Sequence, residues 1–180
     1  MKNLLTIVAV CFSIATGFAQ DTKPTKEETV AYINNILSTS LGVWYKYEEP
    51  GDFSKVISQK FSLEEYTYTD ETTFDYKVND TEIYSFIKIP WHTLKSISEV
   101  SKLENGLSII TVSFEDAFIE NIQRVENVRL MNGNTRKETS NRSTSVSSIE
   151  IYITPSKIEN LKKAFLHLKE LTYKPDPFAN

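Results

Sequence analysis

The sequence predicts an α+β fold in which a helix near each end flanks about eight antiparallel strands, arranged as a barrel or a sandwich. Two observations predict this fold. Apolar residues recur with a helical period towards both ends of the chain, and from Val43 to Ile153 the period changes to two. The connections between the apolar runs are short, which favours antiparallel strands over βαβ units.

The first nineteen residues have the composition of a secretory signal peptide. Lys2 precedes an apolar run from Leu4 to Ala15, and the small residues Gly17 and Ala19 follow at positions suited to cleavage. This run is shorter than the roughly 20 apolar residues that cross a bilayer as a helix. We therefore predict export with cleavage after Ala19, a periplasmic or extracellular location, and no transmembrane segment in the mature chain.

The remaining composition excludes several classes of protein. The one cysteine, Cys11, lies in the predicted leader, so we expect a mature domain without disulfides or thiolates. The 20 basic and 24 acidic residues give a net charge of −4, which argues against general nucleic-acid binding. The length of 180 residues suits one domain, and we predict a signal peptide over 1–19, a polar tether over 20–25 and a single α+β domain over 26–180.

The N-terminal helix begins at a capping box, in which Thr25 and Glu28 are spaced to satisfy each other's backbone donors. Apolar residues follow at helical spacing up to Leu41, and Gly42 is a natural end for the helix. These signals predict a helix over 26–41.

Runs of β-branched and aromatic residues, separated by turn residues, predict the strands. The runs cover 43–49, 53–62, 63–69, 72–78, 81–89, 94–103, 107–114, 122–131 and 146–153. The join between the second and third runs is weak, so we count about eight strands. The wholly polar stretch between Asn132 and Ser145 predicts a long, mobile hairpin tip.

The C-terminal helix follows Thr154 as its N-cap, with Pro155 in the first turn, where a missing N–H costs nothing. An apolar stripe on one face needs an apolar surface to cover, so we expect this helix to close the sheet. The stripe consists of Ile158, Leu161, Ala164, Phe165, Leu168 and Leu171.

Three short segments carry a family resemblance. Ile89-Pro90-Trp91 precedes a mid-chain strand, residues 161–168 read Leu-Lys-Lys-Ala-Phe-Leu-His-Leu, and Pro177-Phe178 lies near the end. With the order of elements, these segments resemble pleckstrin-homology-like barrels, and more narrowly small exported Gram-negative bacterial proteins of unknown function. The resemblance covers roughly residues 43–178 and implies a PH-like scaffold that binds a partner and usually performs no chemistry.

Few residues have the spacing of a catalytic or metal site. His92 and His167 form no zinc-binding motif, and His167 lies between apolar helix residues where a structural role is usual. The glycines after the leader occur singly, which excludes a glycine-rich phosphate loop, and the nucleophile-elbow pattern is missing. We therefore predict no metal and no cofactor.

Acidic residues concentrate between positions 47 and 82, where ten carboxylates and three lysines give a local net charge of −7. Two facing carboxylates are the machinery of a glycosidase, whereas charge in strand edges and turns commonly keeps them solvated. We favour the solvated reading. The weak catalytic candidates are Glu64, Glu65, Asp70, Asp75 and His92.

Two further groups are candidates for ligand binding. All arginines fall within nineteen residues around the polar hairpin, where they could hold a carboxylate, phosphate or sulfate. This basic group consists of Arg124, Arg129, Arg136, Lys137 and Arg142. Aromatic rows in the first half of the sheet could stack on a sugar or line a pocket, although such rows more often form the core. The aromatic candidates are Tyr45, Tyr47, Tyr66, Tyr68 and Trp91.

These features together predict an exported binding or interaction module rather than an enzyme. We expect its partner to be another envelope protein, an anionic small molecule or a carbohydrate, and not a nucleic acid. Two alternatives stay open at this point. One is a hydrolase that acts on an envelope polymer through paired carboxylates assisted by His92. The other is a structural accessory that pairs with an envelope protein through the arginine-bearing hairpin.

Overall fold

The computed structural model describes residues 23–46, 53–74, 78–103, 106–129 and 134–173, and the predicted leader, Tyr47 and Asp75 lie outside these ranges. Two α-helices and seven strands occur in the described part of the chain. In chain order they are α1 (Lys26–Ser38), β1 (Trp44–Lys46), β2 (Phe53–Phe61), β3 (Glu65–Phe74), β4 (Val78–Ile87), β5 (Leu94–Lys102), β6 (Ser108–Arg129), β7 (Thr135–Ile153) and α2 (Ile158–Thr172). Single 3₁₀ turns precede β5 and α2.

The capping box predicted for α1 is confirmed. The backbone N–H of Glu28 donates to Thr25 Oγ1 at 3.2 Å, and the Thr25 N–H donates to Glu28 Oε2 at 2.8 Å. The helix ends at Ser38, before the predicted Leu41. Hydroxyl groups explain the earlier end, because Thr39 and Ser40 donate to carbonyls of the last turn and favour a tighter turn there.

The strands form one antiparallel sheet in the order β1-β2-β3-β4-β6-β5, and β7 pairs with β6. The long strand β6 pairs with β5 along 108–114 and with β4 along 119–125. Among the described residues no backbone ladder joins β1 to β7, so the α+β prediction is confirmed but the sheet is not closed into a barrel. The architecture is sandwich-like, with a helix near each end of the chain.

The largest departure from the predicted elements lies in β6 and β7. The runs predicted as separate strands over 107–114 and 122–131 are joined in one strand of 22 residues. The stretch predicted as a mobile tip is strand from Thr135 onward, paired without a break from Phe118–Val146 to Arg129–Thr135. The prediction failed because a backbone ladder needs no apolar period when the strand lies at an exposed edge. We call residues 119–129 and 135–145 the β6–β7 arm.

The core lies between the inner face of the curved sheet and the two helices. Trp91 stacks on Phe165 of α2 with ring centroids 5.0 Å apart, and it meets the edge of Phe61 at 4.9 Å. Most of the predicted α2 stripe is buried: Ile158, Leu161, Ala164, Phe165 and Leu168. The α2 helix therefore covers the sheet as its sequence pattern predicts.

A buried amide joins β2 to β7 where no ladder exists. Gln59 Nε2 donates to the Tyr152 carbonyl at 2.9 Å and to Ser40 Oγ at 2.7 Å. Its Oε1 accepts from the Tyr66 hydroxyl at 2.6 Å and from the Tyr152 N–H at 3.3 Å. The Gln59 side chain thus bonds both backbone groups of Tyr152, as a neighbouring strand would, and holds β7 against β2.

Candidate functional site

Of the weak catalytic candidates, Asp75 lies outside the described residues, and the structure separates Asp70 from the other three. Glu64 and Glu65 are exposed at the turn between β2 and β3, and His92 is exposed on the 3₁₀ turn before β5. Asp70 is buried on the inner face of β3. Glu65 and Asp70 are five positions apart on one strand, so their side chains point to opposite faces of the sheet.

Asp70 is instead part of a buried polar contact. The Tyr45 hydroxyl donates to its Oδ2 at 2.7 Å, whereas Oδ1 is buried without a hydrogen-bond partner. Burial raises the pKa of Asp70 to about 6, although the Tyr45 hydroxyl and the amides of Glu71 and Lys55 act in the opposite direction. Glu82 lies opposite Asp70 in the β3–β4 register and adds a smaller upward effect on this pKa.

Stacked tyrosines surround this carboxyl group. The rings of Tyr68 and Tyr84 are parallel with centroids 4.3 Å apart, and those of Tyr45 and Tyr152 are stacked at 5.1 Å. Burial raises the pKa of the Tyr45 and Tyr68 hydroxyls above the ordinary tyrosine value. The described aromatic candidates are at most 6% exposed, so they form core rather than a surface for a ligand. They are Tyr45, Tyr66, Tyr68 and Trp91.

Carboxylates already neutralise Arg124, the most central member of the basic group. Its guanidinium lies 3.3 Å from Asp80 Oδ2 and 2.7 Å from Glu126 Oε1, with Glu82 at 3.5 Å. Burial alone would lower the pKa of Arg124, but the bond to Asp80 and the nearby carboxylates raise it. This residue therefore closes the end of the inner face and offers little charge to an outside anion.

The other basic candidates are spread along the arm. Arg136 forms an ion pair with Glu138 two residues along β7, and Arg142 lies close enough to Glu120 to lower the pKa of that carboxyl group against the effect of burial. Lys137 is exposed. Arg129 pairs through its backbone with Thr135, and its side chain lies outside the described part. The basic side chains that the structure describes are therefore not gathered into one anion site.

The outer face of the sheet carries neutral polar side chains on three neighbouring strands. These side chains form two adjacent rows across the sheet, and each row has one residue from β4, one from β6 and one from β7. The two rows are two positions apart along each strand, so both lie on the same face. The rows are Ser85–Asn121–Ser143 and Ile83–Gln123–Asn141. A shallow groove of about 520 Å³ lies over these rows, with Ile122 and Arg142 completing its lining. We call it the outer-face groove.

Amide groups give the outer-face groove its chemistry. Gln123 Nε2 donates to Asn141 Oδ1 at 3.3 Å, which orients both side chains. The bond uses one polar atom of each amide, so the Gln123 carbonyl and the Asn141 amino group can still meet a ligand. No carboxylate contributes to the lining, and Arg142 lies opposite Ile122 in the register, so its side chain belongs to the other face of the sheet. The groove therefore suits a ligand with many hydroxyl groups and little charge.

A second groove, of about 560 Å³, lies between the start of α1 and the middle of α2. Its wall is fixed by His167, whose Nε2 lies 2.8 Å from the Pro24 carbonyl. A carbonyl only accepts, so Nε2 carries the proton and His167 holds the chain that leads into α1. This contact supports the structural role predicted for His167. We call this second groove the helix groove, and the contact makes it a packing feature more than a ligand site.

Sequence reasoning missed the residues of the outer-face groove. Gln123 is in a predicted strand and Asn141 and Ser143 are in the predicted mobile tip, whereas Asn121 lies between two predicted strands. None of the four is among the predicted site residues. The available signal was the repetition of neutral polar residues at every second position of two neighbouring runs. That signal acquires meaning only when the two runs are known to pair.

Two searches of the described residues concern other kinds of site. No group of three or more His, Cys, Asp or Glu side chains within them is placed to hold a metal ion. In the same residues, no helix is both long enough and apolar enough to cross a membrane.

Comparison with protein-family models, with curated proteins and with solved structures found no match for this chain.

Proposed function

We propose that this chain is an exported, non-catalytic binding module that takes a carbohydrate in the outer-face groove. The observation that carries the proposal is the lining itself, in which three amides and two serine hydroxyls occupy two adjacent cross-strand rows without a carboxylate. Amides both donate and accept hydrogen bonds, which matches the paired donor and acceptor character of sugar hydroxyls.

The shape of the groove supports the same ligand class. A paired sheet holds side chains at fixed spacings, so little side-chain ordering is needed when a ligand binds. Ile83 provides an apolar patch in the floor of the groove for the C–H face of a sugar ring.

The non-catalytic part of the proposal has separate support. Glu64 and Glu65 are exposed at the turn between β2 and β3, His92 is exposed on the 3₁₀ turn before β5, and Asp70 is buried against Tyr45. A pair of carboxylates on either side of a glycosidic bond needs both groups at one accessible cleft. The PH-like resemblance and the predicted leader fit an exported binding scaffold, and both remain part of the proposal.

The test is a titration of the ¹⁵N-labelled protein with three hexasaccharides, namely cellohexaose, chitohexaose and hexagalacturonate. We expect at least one of them to shift backbone amide signals of 83–85, 121–123 and 141–143. Asn121→Ala combined with Gln123→Ala should weaken that binding at least tenfold. Thr67→Ala, on the same outer face of β3 but outside the groove, is the matched control and should bind as the wild type does.

Three outcomes would count against the proposal. Signals of the helix groove around Tyr32 and Asn160 could shift instead, which would move the ligand site. The double variant could bind as well as the control. Finally, all three hexasaccharides could fail to bind at millimolar concentration, which would exclude carbohydrates of these classes.

A further inference from the structure

Within the described sheet, the first half of β7 is a long edge with no neighbouring strand on one side. Residues 135–145 are exposed, and within the described sheet they pair with β6 alone. Their register with β6 is unbroken, and the segment contains neither proline nor glycine. Its outward N–H and C=O groups therefore form a regular row that can accept another strand.

Charge on this edge selects the partner. Arg136, Lys137 and Arg142 are basic, and the acidic Glu138 forms an ion pair with Arg136 along its own strand and can also meet a cation across the edge. If two copies of the edge run antiparallel and are centred on Ser140, Glu138 of each copy lies opposite Arg142 of the other. In the same register Arg136 faces a threonine and Lys137 faces a serine, so no like charges are opposed.

Neighbouring registers lack this complementarity. A shift of two residues one way places Arg136 opposite Arg142 of the partner subunit, and a shift the other way separates Glu138 from its cation. Odd shifts place inner-face residues opposite outer-face residues, which an antiparallel pair does not allow. One register is therefore selected by charge and by the pleat together.

We propose that two copies of this chain pair antiparallel through residues 135–145 of β7, centred on Ser140, so that their two sheets form one continuous sheet. The twofold axis of such a pair is perpendicular to the sheet, and it leaves both outer faces on the same side. The two outer-face grooves then lie roughly 20 Å apart, from three strand spacings and an offset of four residues. This last consequence rests on the proposed function, whereas the pairing itself does not.

Charge exchange between the two copies tests the pairing without any ligand. Sedimentation equilibrium of the purified wild type should show a dimer. Glu138→Arg and Arg142→Glu each oppose like charges at two symmetric positions, and each should raise the dimer dissociation constant about tenfold or more. The double variant with both changes restores opposite charges and should return it to within about threefold of wild type. Glu159→Arg, on the exposed face of α2, is the matched control and should leave it unchanged.

A disulfide across the axis provides a second measurement that does not depend on charge. Ser140 faces Ser140 of the partner subunit, and Cα atoms of directly opposed residues lie within the range that a disulfide spans. In a Cys11→Ser background, Ser140→Cys should form a covalent dimer on mild oxidation. Ser145→Cys, on the same strand but facing residue 135 of the other copy, should remain monomeric under the same conditions.

A wild type that stays monomeric up to millimolar concentration would overturn the pairing, as would a double variant that dimerises no better than the single ones. Equal crosslinking at positions 140 and 145 would exclude this register. Because these measurements contain no sugar, a failure of the pairing is distinct from a failure of the outer-face groove, which the Asn121 and Gln123 variants test.

Discussion

The hydroxyl of Tyr45 donates a hydrogen bond of 2.7 Å to Asp70 Oδ2, and this bond ties the short edge strand β1 to the inner face of β3. β1 pairs with β2 over only three residues, so its position depends on this contact and on the stack of Tyr45 with Tyr152. Burial of this carboxyl group, with Oδ1 unsatisfied, makes Asp70 costly to ionise, although the bond from Tyr45 favours the ionised form.

Asp70 should make the stability of the protein depend on pH. Its pKa is about 6 in the folded protein against an ordinary value of 3.8, so the folded state holds the proton more tightly than the unfolded chain. The stabilising contribution is therefore complete below about pH 4 and is lost as the pH rises through about 6. Asp70→Asn removes this titration. The stability of the variant relative to wild type should rise by about 2 kcal/mol between pH 4 and pH 7.

Urea unfolding at several pH values measures this difference. Other carboxylates titrate in the same range, but they contribute equally to both proteins and cancel in the comparison. Glu64→Gln is the matched control, because Glu64 is exposed and its loss should leave the pH profile unchanged. Parallel profiles for wild type and Asp70→Asn would contradict the prediction.

Tyr45→Phe should destabilise the protein by about 1–3 kcal/mol at neutral pH, because it removes the side-chain donor of a buried carboxylate. The ring and its stack on Tyr152 are retained, so the loss reports the hydroxyl alone. Chemical denaturation gives the value. Tyr32→Phe removes a hydroxyl from a tyrosine that is 46% exposed and should cost less than about 0.5 kcal/mol. Equal effects of the two variants would mean that the bond to Asp70 adds nothing.

Gln59→Ala should be among the most destabilising single substitutions, with a loss of about 3 kcal/mol or more. It removes the amide that satisfies the buried N–H and C=O of Tyr152, and it leaves the Tyr66 hydroxyl without its acceptor. Thermal unfolding and hydrogen exchange of the Tyr152 amide measure the effect. Gln123→Ala, in an exposed position of β6, is the control. If the Tyr152 amide stays protected in Gln59→Ala, Gln59 does not hold β7.

Arg124→Ala should cost about 1–3 kcal/mol, because it leaves Asp80, Glu82 and Glu126 close together without their shared cation. Arg136→Ala removes an exposed pair with Glu138 and should cost less than about 1 kcal/mol. Urea midpoints at low and high salt distinguish the two sites, since salt screens repulsion among the freed carboxylates of the first variant. If Arg136→Ala lost more stability than Arg124→Ala, the prediction that Arg124 is the more important of the two cations would be wrong.

Much of the fold could be predicted from local patterns. The capping box at Thr25 and Glu28, the apolar stripe of α2 and the antiparallel strands are short-range signals, and each occurs in the structure. Strand boundaries were harder to predict from the sequence. The polar segment after Asn134 has no apolar alternation, yet it is strand because β6 supplies backbone partners.

The candidate site could not be predicted from local sequence patterns, for a related reason. Asp70, Glu82 and Arg124 are far apart in sequence but occupy one cross-strand row, and the Asn121 and Asn141 side chains meet the same groove from two strands. Their chemistry depends on register, which one sequence does not specify. The predicted aromatic rows are likewise part of the core, because the curved sheet brings the Tyr152 ring into contact with Tyr45 and Tyr68.

The sequence by itself determined the α+β class, both helices, the antiparallel character of the strands and the uneven distribution of charge, because helix and strand periods and residue counts are local properties. Only the tertiary structure decided which acids and arginines neutralise one another, which tyrosines are buried, and where the neutral amides form a continuous groove. Those outcomes depend on strand pairing, and a register change of one residue would exchange the inner and outer faces.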